Sequence, residues 1–161
     1  MPLPAKPPSE SATDMVEVVL PNDTNPMGFM LGGAVMHLID LAGAIAAFRH
    51  ARALMVTAAV DGLEFLNPIK VGDFIILKSR VTAAFTTSLE VEVKVYSEGA
   101  LSGKRQMTSR AYLTFVTLNR DGMRVEIPPL AIGTDEERKL QEAAGVRRQE
   151  HLARRSRAQE I

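Results

Sequence analysis

Asp40 stands late in an apolar run that opens at Leu31, within the stretch NDTNPMGFMLGGAVMHLID from Asn22 to Asp40. A carboxylate on a helix that is apolar on nearly every face has little access to water, and burying it unpaired costs on the order of several kcal/mol. It must be hydrogen-bonded to a neighbouring strand, raised in pKa, or placed at a cavity. The first is a structural role; the others suit a base or a nucleophile. Gly32 and Gly33 open the same run and place unobstructed backbone N–H groups at a helix N-terminus, where first-turn donors are unsatisfied and the dipole favours negative charge. An oxyanion could be held there, or the glycines could serve only to let the helix approach a sheet. The glycine pattern lacks the Lys-Ser/Thr of a phosphate-cradling loop and does not directly follow a strand as a dinucleotide fingerprint should.

The three histidines add little. His37 stands one turn before Asp40 and could share its face. His50 follows the helix and could meet its C-terminal carbonyls, while His151 lies in a charged tail. The chain has no cysteine, which removes disulfides, thiolate metal sites and a cysteine nucleophile together. No metal site is suggested.

The elements that must position these groups follow from periodicity. Val16–Leu20 reads as a short strand ending at Pro21, and NDTNP as a turn. The run from Leu31 to Phe48 reads as a helix enclosed on most sides. Val56–Val60 and Val71–Phe85 are β-branched and read as strands. Leu89, Val91, Val93 and Val95 alternate with Glu90, Glu92, Lys94 and Tyr96, which predicts a strand with one face in and one face out. Thr108–Leu118 has β-formers on both faces and implies a central or doubly covered strand. Thr134 with Glu137 three positions on is the N-terminal signature of a polar helix that ends as a charged tail. Short connections favour antiparallel hairpins, so the expected fold is α+β: one sheet curled around one apolar helix.

With 161 residues the chain suits a single compact domain, and 19 basic residues balance 19 acidic ones, so no global field attracts nucleic acid or anionic lipid. The expected organisation is a disordered lead-in over 1–13, a domain over 14–133, and a charged helix and tail over 134–161. The proline-rich start lacks the apolar run of a signal peptide, making a cytoplasmic location the default. Leu31–Phe48 approaches the length of a membrane span, but Asp40 within it would cost roughly 2.5–3.5 kcal/mol on insertion scales, so a buried core helix is expected.

NDTNPMGFMLGGAVMHLID, FLNPIKVGD (Phe65–Asp73), SLEVEVKVYSE (Ser88–Glu98) and RAYLTFVTLNRDG (Arg110–Gly122), in that order, resemble the hotdog-fold acyl-CoA thioesterases. The likeness is greatest to the broad-specificity acyl-CoA hydrolases of bacteria and their two-domain cytosolic relatives in animals. It implies a sheet wrapped round a central helix, a homodimer as the minimal active unit, often in trimers of dimers, and hydrolysis of acyl-CoA to fatty acid and CoA. By resemblance Asn25 and Asp40 are the catalytic pair and Gly32 and Gly33 the oxyanion hole. No cofactor is expected, coenzyme A being part of the substrate. A thiol of reference pKa about 8.5 leaves as thiolate without a strong general acid, so one carboxylate can suffice.

Asp40 lies two helical turns beyond Gly33, about 10 Å along the axis, too far for both to act on one carbonyl of the same chain. Donors and base are therefore expected from different subunits. Phosphates of CoA call for a local basic strip, with Lys70, Lys78, Arg80, Lys104 and Arg110 available. The turn before the Ser88 strand, Thr87–Ser88, is a nucleotide contact by resemblance, although Phe85 stands where relatives often have glycine. Met27, Met30, Met36, Leu63 and Phe65 are either acyl-tunnel walls or ordinary core. Two alternatives remain open: an acyl-thioester dehydratase using His37, and a non-catalytic acyl-CoA sensor that tolerates loss of Asp40.

Overall fold

A computed structural model of the chain describes residues 2–160. Strands β1 (Thr13–Val18), β2 (Met55–Phe65), β3 (Phe74–Ala84), β4 (Ser88–Glu98) and β5 (Arg105–Thr117) form one antiparallel sheet in the order β1-β3-β4-β5-β2. Helix α1 (Gly32–Ala51) runs from one edge strand to the other, and α2 (Asp135–Gln159) follows the last strand. This is the α+β architecture expected of the hotdog fold.

Alternation places Leu89, Val91, Val93 and Val95 of β4, Ile75, Leu77 and Val81 of β3, and Ala111, Leu113 and Phe115 of β5 in the core. Against them α1 lays Val35, Leu38, Ile39, Ala42, Ala46 and Ala47. Each large apolar side chain buried in this way contributes about 1.5–3 kcal/mol. The approach is closest at Gly43, where an added Cβ would stand 3.3 Å from the Phe115 ring. The apolar composition and length of α1 would suffice to cross a membrane, but this stripe packs into the sheet.

The expectation that α1 is enclosed on nearly every face is corrected. Gly33, Met36, His37, Asp40, Leu41, Ile45 and Phe48 form an exposed stripe, and the edge strand β2 beside it exposes Val56 and Val60. A single sheet covers one side of a helix; the other side needs a second layer.

The outward residues of β4 also depart from expectation, because Glu90 and Glu92 are 4% and 3% exposed. Helix α2 covers them. It begins as predicted, with the Thr134 hydroxyl accepting from the Glu137 N–H at 3.1 Å. Farther along, Arg147 donates to both oxygens of Glu90 at 2.8 Å and stacks on Tyr112, 3.7 Å from its centroid. The bond to Glu90 raises the Arg147 pKa against the opposing effect of burial. Arg80 bridges Glu92 at 3.6 Å and Glu136 at 2.8 Å. His151 pairs with Asp61 of β2, and Arg154 reaches the same carboxylate at 3.3 Å. Thus the polar helix is a docked layer, and His151 belongs to that contact.

The lead-in expected to be disordered is held against the domain from Lys6 onward, whose N–H donates to the Pro129 carbonyl at 3.0 Å, while residues 2–5 are exposed and Met1 lies outside the described residues. Ser11 is fully buried, its hydroxyl accepting from the Val81 N–H at 3.0 Å. Lys6 Nζ donates to the His50 carbonyl at 2.9 Å and so takes the helix-terminal role foreseen for His50. The His50 ring instead lies inside α1, fully buried, and Nε2 donates to the Pro128 carbonyl at 2.8 Å. Desolvation lowers its pKa, outweighing the opposing bond to Pro128.

Candidate active site

The loop before α1 is organised by Asn25. Its backbone N–H donates to the Phe29 carbonyl at 2.8 Å, and its carbonyl accepts from the Gly28 N–H at 2.9 Å. Gly28 has φ +80°, a conformation that favours glycine. The side-chain oxygen of Asn25 accepts from the Met27 and Phe29 N–H groups at 3.0 and 3.1 Å. With the oxygen engaged in this way, the amide NH2 has no partner among the described residues.

The same loop delivers the helix start. Met30 N–H donates to Ile69 O at 2.7 Å and Leu31 N–H to Asp23 O at 2.8 Å, after which Gly32 begins α1 with no side-chain cap. Its first-turn donors are therefore open to a ligand. The two glycines differ. A Cβ at Gly32 would meet the Phe65 ring at 3.3 Å, whereas nothing lies within 4 Å of one at Gly33. Close packing accounts for Gly32 and leaves Gly33 without a reason inside this chain.

Asp40 reaches the edge strand. The Thr57 hydroxyl donates to its Oδ1 at 2.6 Å, leaving Oδ2 without a partner among the described residues. The pair borders a cavity of about 230 Å³ lined by Met36, Ile39, Val60, Leu63 and Leu113. Hence the acid is both hydrogen-bonded and at a cavity, and it is exposed rather than enclosed. Thr57 escaped the sequence reading, being absorbed into the run Val56–Val60. In the sequence it was no more than a lone hydroxyl in an apolar segment; the register shift between Thr57 and Ala59, of the kind by which bulges re-aim side chains beside sites, belongs to the fold. His37 is exposed and makes no hydrogen bond to Asp40.

A second cavity, about 360 Å³, opens beside Gly32 between the Phe29–Met30 loop and the Phe65–Ile69 segment. Neither glycine borders the Asp40 cavity, and Asp40 does not border this one. One chain therefore holds both halves of the expected site but does not join them. Of the foreseen tunnel residues, Met36 and Leu63 line the Asp40 cavity, Met30 and Phe65 the other, and Met27 is exposed.

The basic candidates divide by position. Lys70 is bridged to Phe29 at the glycine end of the sheet, Lys104 lies in the β4–β5 turn at that end, and Arg110 stands opposite Glu64. Lys78 pairs with Asp14 at 3.6 Å, and Arg80 is held under α2. Thr87 and Ser88 lie at the opposite end, where Ser88 borders a cavity of about 730 Å³ between α2 and the outer sheet face. Phe85 has a partner there: the Arg148 guanidinium sits 4.4 Å over its ring.

Residues 27–104 match the sequence pattern of the thioesterase superfamily. The chain is 38% identical over 152 residues to an uncharacterized acyl-CoA thioester hydrolase of Bacillus subtilis, covering 94% of this chain and 88% of the relative. It is 34% identical over 133 residues to the cytosolic acyl coenzyme A thioester hydrolase of Homo sapiens, covering 81% of this chain but only 35% of that longer protein. Among solved structures, an acyl-CoA hydrolase from Bacillus cereus superposes with TM-score 0.91 at 31% identity, covering 97% and 95% of the two chains. An acyl-CoA hydrolase from Staphylococcus aureus, solved with butyryl coenzyme A and coenzyme A, superposes with TM-score 0.89 at 36% identity, covering 98% and 96%. Structures of its variants with an aspartate, an asparagine or a threonine changed to alanine match as well. A hexameric acyl-CoA thioesterase superposes with TM-score 0.89 at 36% identity over 94% of this chain and 97% of that one.

Proposed function

The chain belongs to the thioesterase superfamily and is a thioester hydrolase, and from that premise we propose that it cleaves acyl-CoA to a fatty acid and coenzyme A at sites shared by two copies of the chain. The observation that carries the proposal is the exposed stripe on α1. Gly33 and Asp40 both lie on it, about 10 Å apart by helical rise, and on either side of them apolar surface awaits a cover. A second copy packed antiparallel on this stripe and on the β2 edge buries that surface. It also sets the glycine end of one helix against Asp40 of the other.

In such a site the thioester oxygen accepts from the first-turn N–H groups at Gly32–Gly33 and from the oriented amide of Asn25. The partner's Asp40, steered by its Thr57, takes a proton from water as the oxygen of that water adds to the carbonyl carbon. The tetrahedral intermediate collapses, the C–S bond breaks, and CoA leaves as a thiolate that is protonated as the acid product departs. Direct attack by the carboxylate, followed by hydrolysis of an anhydride, uses the same geometry. Neither route calls for a cofactor or a metal ion. In the Staphylococcus aureus hydrolase the altered asparagine, aspartate and threonine follow one another at the same intervals as Asn25, Asp40 and Thr57, which supports these assignments.

Lys70, Lys104 and Arg110 at the glycine end, with Thr87 and Ser88 brought across from the partner, are the proposed CoA contacts. Lys78 and Arg80 are committed to Asp14, Glu92 and Glu136 instead. A trimer of dimers in the cytoplasm is the proposed assembly and location, supported by the hexameric structure and the cytosolic relative. A dehydratase would depend on His37, which has no bond to Asp40, and a sensor would not need the Asp40–Thr57 pair. The test is free-thiol release from acyl-CoAs of rising chain length, with wild type beside Asp40→Ala. Release by wild type and its near-abolition in the variant are expected; equal rates would sink the mechanism.

A further inference from the structure

Resting on the hydrolase reading, we propose that the cavity beside Gly32 receives the acyl chain and that Ser109 makes it selective for chains bearing a hydroxyl or oxo group. The cavity adjoins the backbone donors assigned to the thioester oxygen, and Phe29, Val35, Phe65, Pro68 and Ile69 give it an apolar lining with no charged residue. Ser109 lies in its wall. On β5 it occupies the inward row with Ala111, Leu113 and Phe115, opposite Phe65 of β2.

Ser109 is 1% exposed, and its hydroxyl has no hydrogen-bond partner among the described residues. Its polar neighbours are satisfied: Thr108 Oγ1 donates to Val95 O at 3.2 Å and Asn67 Nδ2 to Met107 O at 2.9 Å. A buried hydroxyl without a partner is rare, and no protein group beside it supplies one. A saturated chain leaves the hydroxyl unpaired, whereas an oxygen on a chain lying against this wall pairs with it. Since the Phe65 ring touches Gly32 and its backbone pairs with Ser109, the oxygen belongs on the carbons nearest the thioester, at the β or γ position.

The experiment compares kcat/KM for saturated, hydroxy-substituted and oxo-substituted acyl-CoAs of matched length, in wild type, Ser109→Ala and Ser109→Thr, with thermal melts as a folding check. Wild type should favour the substituted member at one of these positions by about tenfold, the scale of one neutral hydrogen bond. Ser109→Ala should bring the ratio close to one by losing on the substituted chains, and Ser109→Thr should keep it. The wild-type ratio can be read without any variant. A ratio at or below one for every pair, or one that Ser109→Ala leaves unchanged, overturns the selectivity while hydrolysis stands. If wild type cleaves no acyl-CoA, the hydrolase reading falls and this proposal with it.

Discussion

The Thr57 hydroxyl donates to Asp40 at 2.6 Å, tying the central helix to the edge strand through the one acid on the helix. If that carboxylate activates water, Asp40→Asn keeps its shape and should lower kcat by about 10²–10⁴-fold with KM little changed. Thr57→Val removes only the steering bond. It should cost roughly tenfold to a hundredfold in kcat, and Thr57→Ser should recover most of the loss. Steady-state thiol release measures all three, and single-turnover hydrolysis in ¹⁸O water separates base from nucleophile: direct attack by water labels the first fatty acid released, whereas an anhydride opened by water at the aspartyl carbonyl releases that acid unlabelled and leaves the label on Asp40.

Asn25 combines two functions that a substitution can divide. Asn25→Asp retains an oxygen for the Met27 and Phe29 N–H groups but loses the side-chain N–H donor. Its melting temperature should stay nearer wild type than that of Asn25→Ala, while both lose activity to a similar extent. Activity retained in Asn25→Asp would mean that the oxygen is the working atom.

Co-refolding Asp40→Ala chains with Asn25→Ala chains tests whether sites are shared. Random pairing makes about half of the dimers mixed, each with one complete site, so activity should recover to roughly a quarter of wild type. Sites confined to single chains predict no recovery.

His50 makes stability depend on pH. Its native pKa is lowered, chiefly by desolvation, while the unfolded chain takes up the proton near pH 6.5. The unfolded state therefore binds more protons below that value, and stability falls as pH drops through the window from about 6.5 to the depressed native pKa. Urea midpoints above and below this window should differ more for wild type than for His50→Gln.

Arg147 holds the outer layer. Removing its guanidinium leaves Glu90, 5% exposed at its side chain, with only the Thr82 hydroxyl for company. Arg147→Met should destabilise the fold by about 3 kcal/mol, and adding Glu90→Gln should restore much of that in chemical denaturation.

The strands and the central helix were legible because a buried face imposes its period on the sequence, as Leu89 to Val95 display. What covers the other face was not. Glu90 and Glu92 look solvated in an alternating pattern, since alternation distinguishes two faces without saying whether water or α2 lies over the second. For the same reason an all-apolar α1 reads as enclosed, although its own sheet covers only one stripe. Asp40 stood out as an acid in the wrong surroundings, but Thr57 depends on the placement of β2 beside α1, which short-range patterns do not contain. Likewise, the glycine pair at the helix start drew attention while Gly43, on which the helix–sheet approach depends, passed unnoticed among small residues.

The strand order has a consequence for synthesis. β2 is made directly after α1, yet its partner is β5, the last strand to leave the ribosome. Strands β1, β3 and β4 can pair, and cover one side of α1, before β5 exists, but β2 has no partner until residue 117 has been translated. A sheet completed by its final strand leaves an earlier strand unpaired, and open to neighbouring chains, until the chain is almost finished.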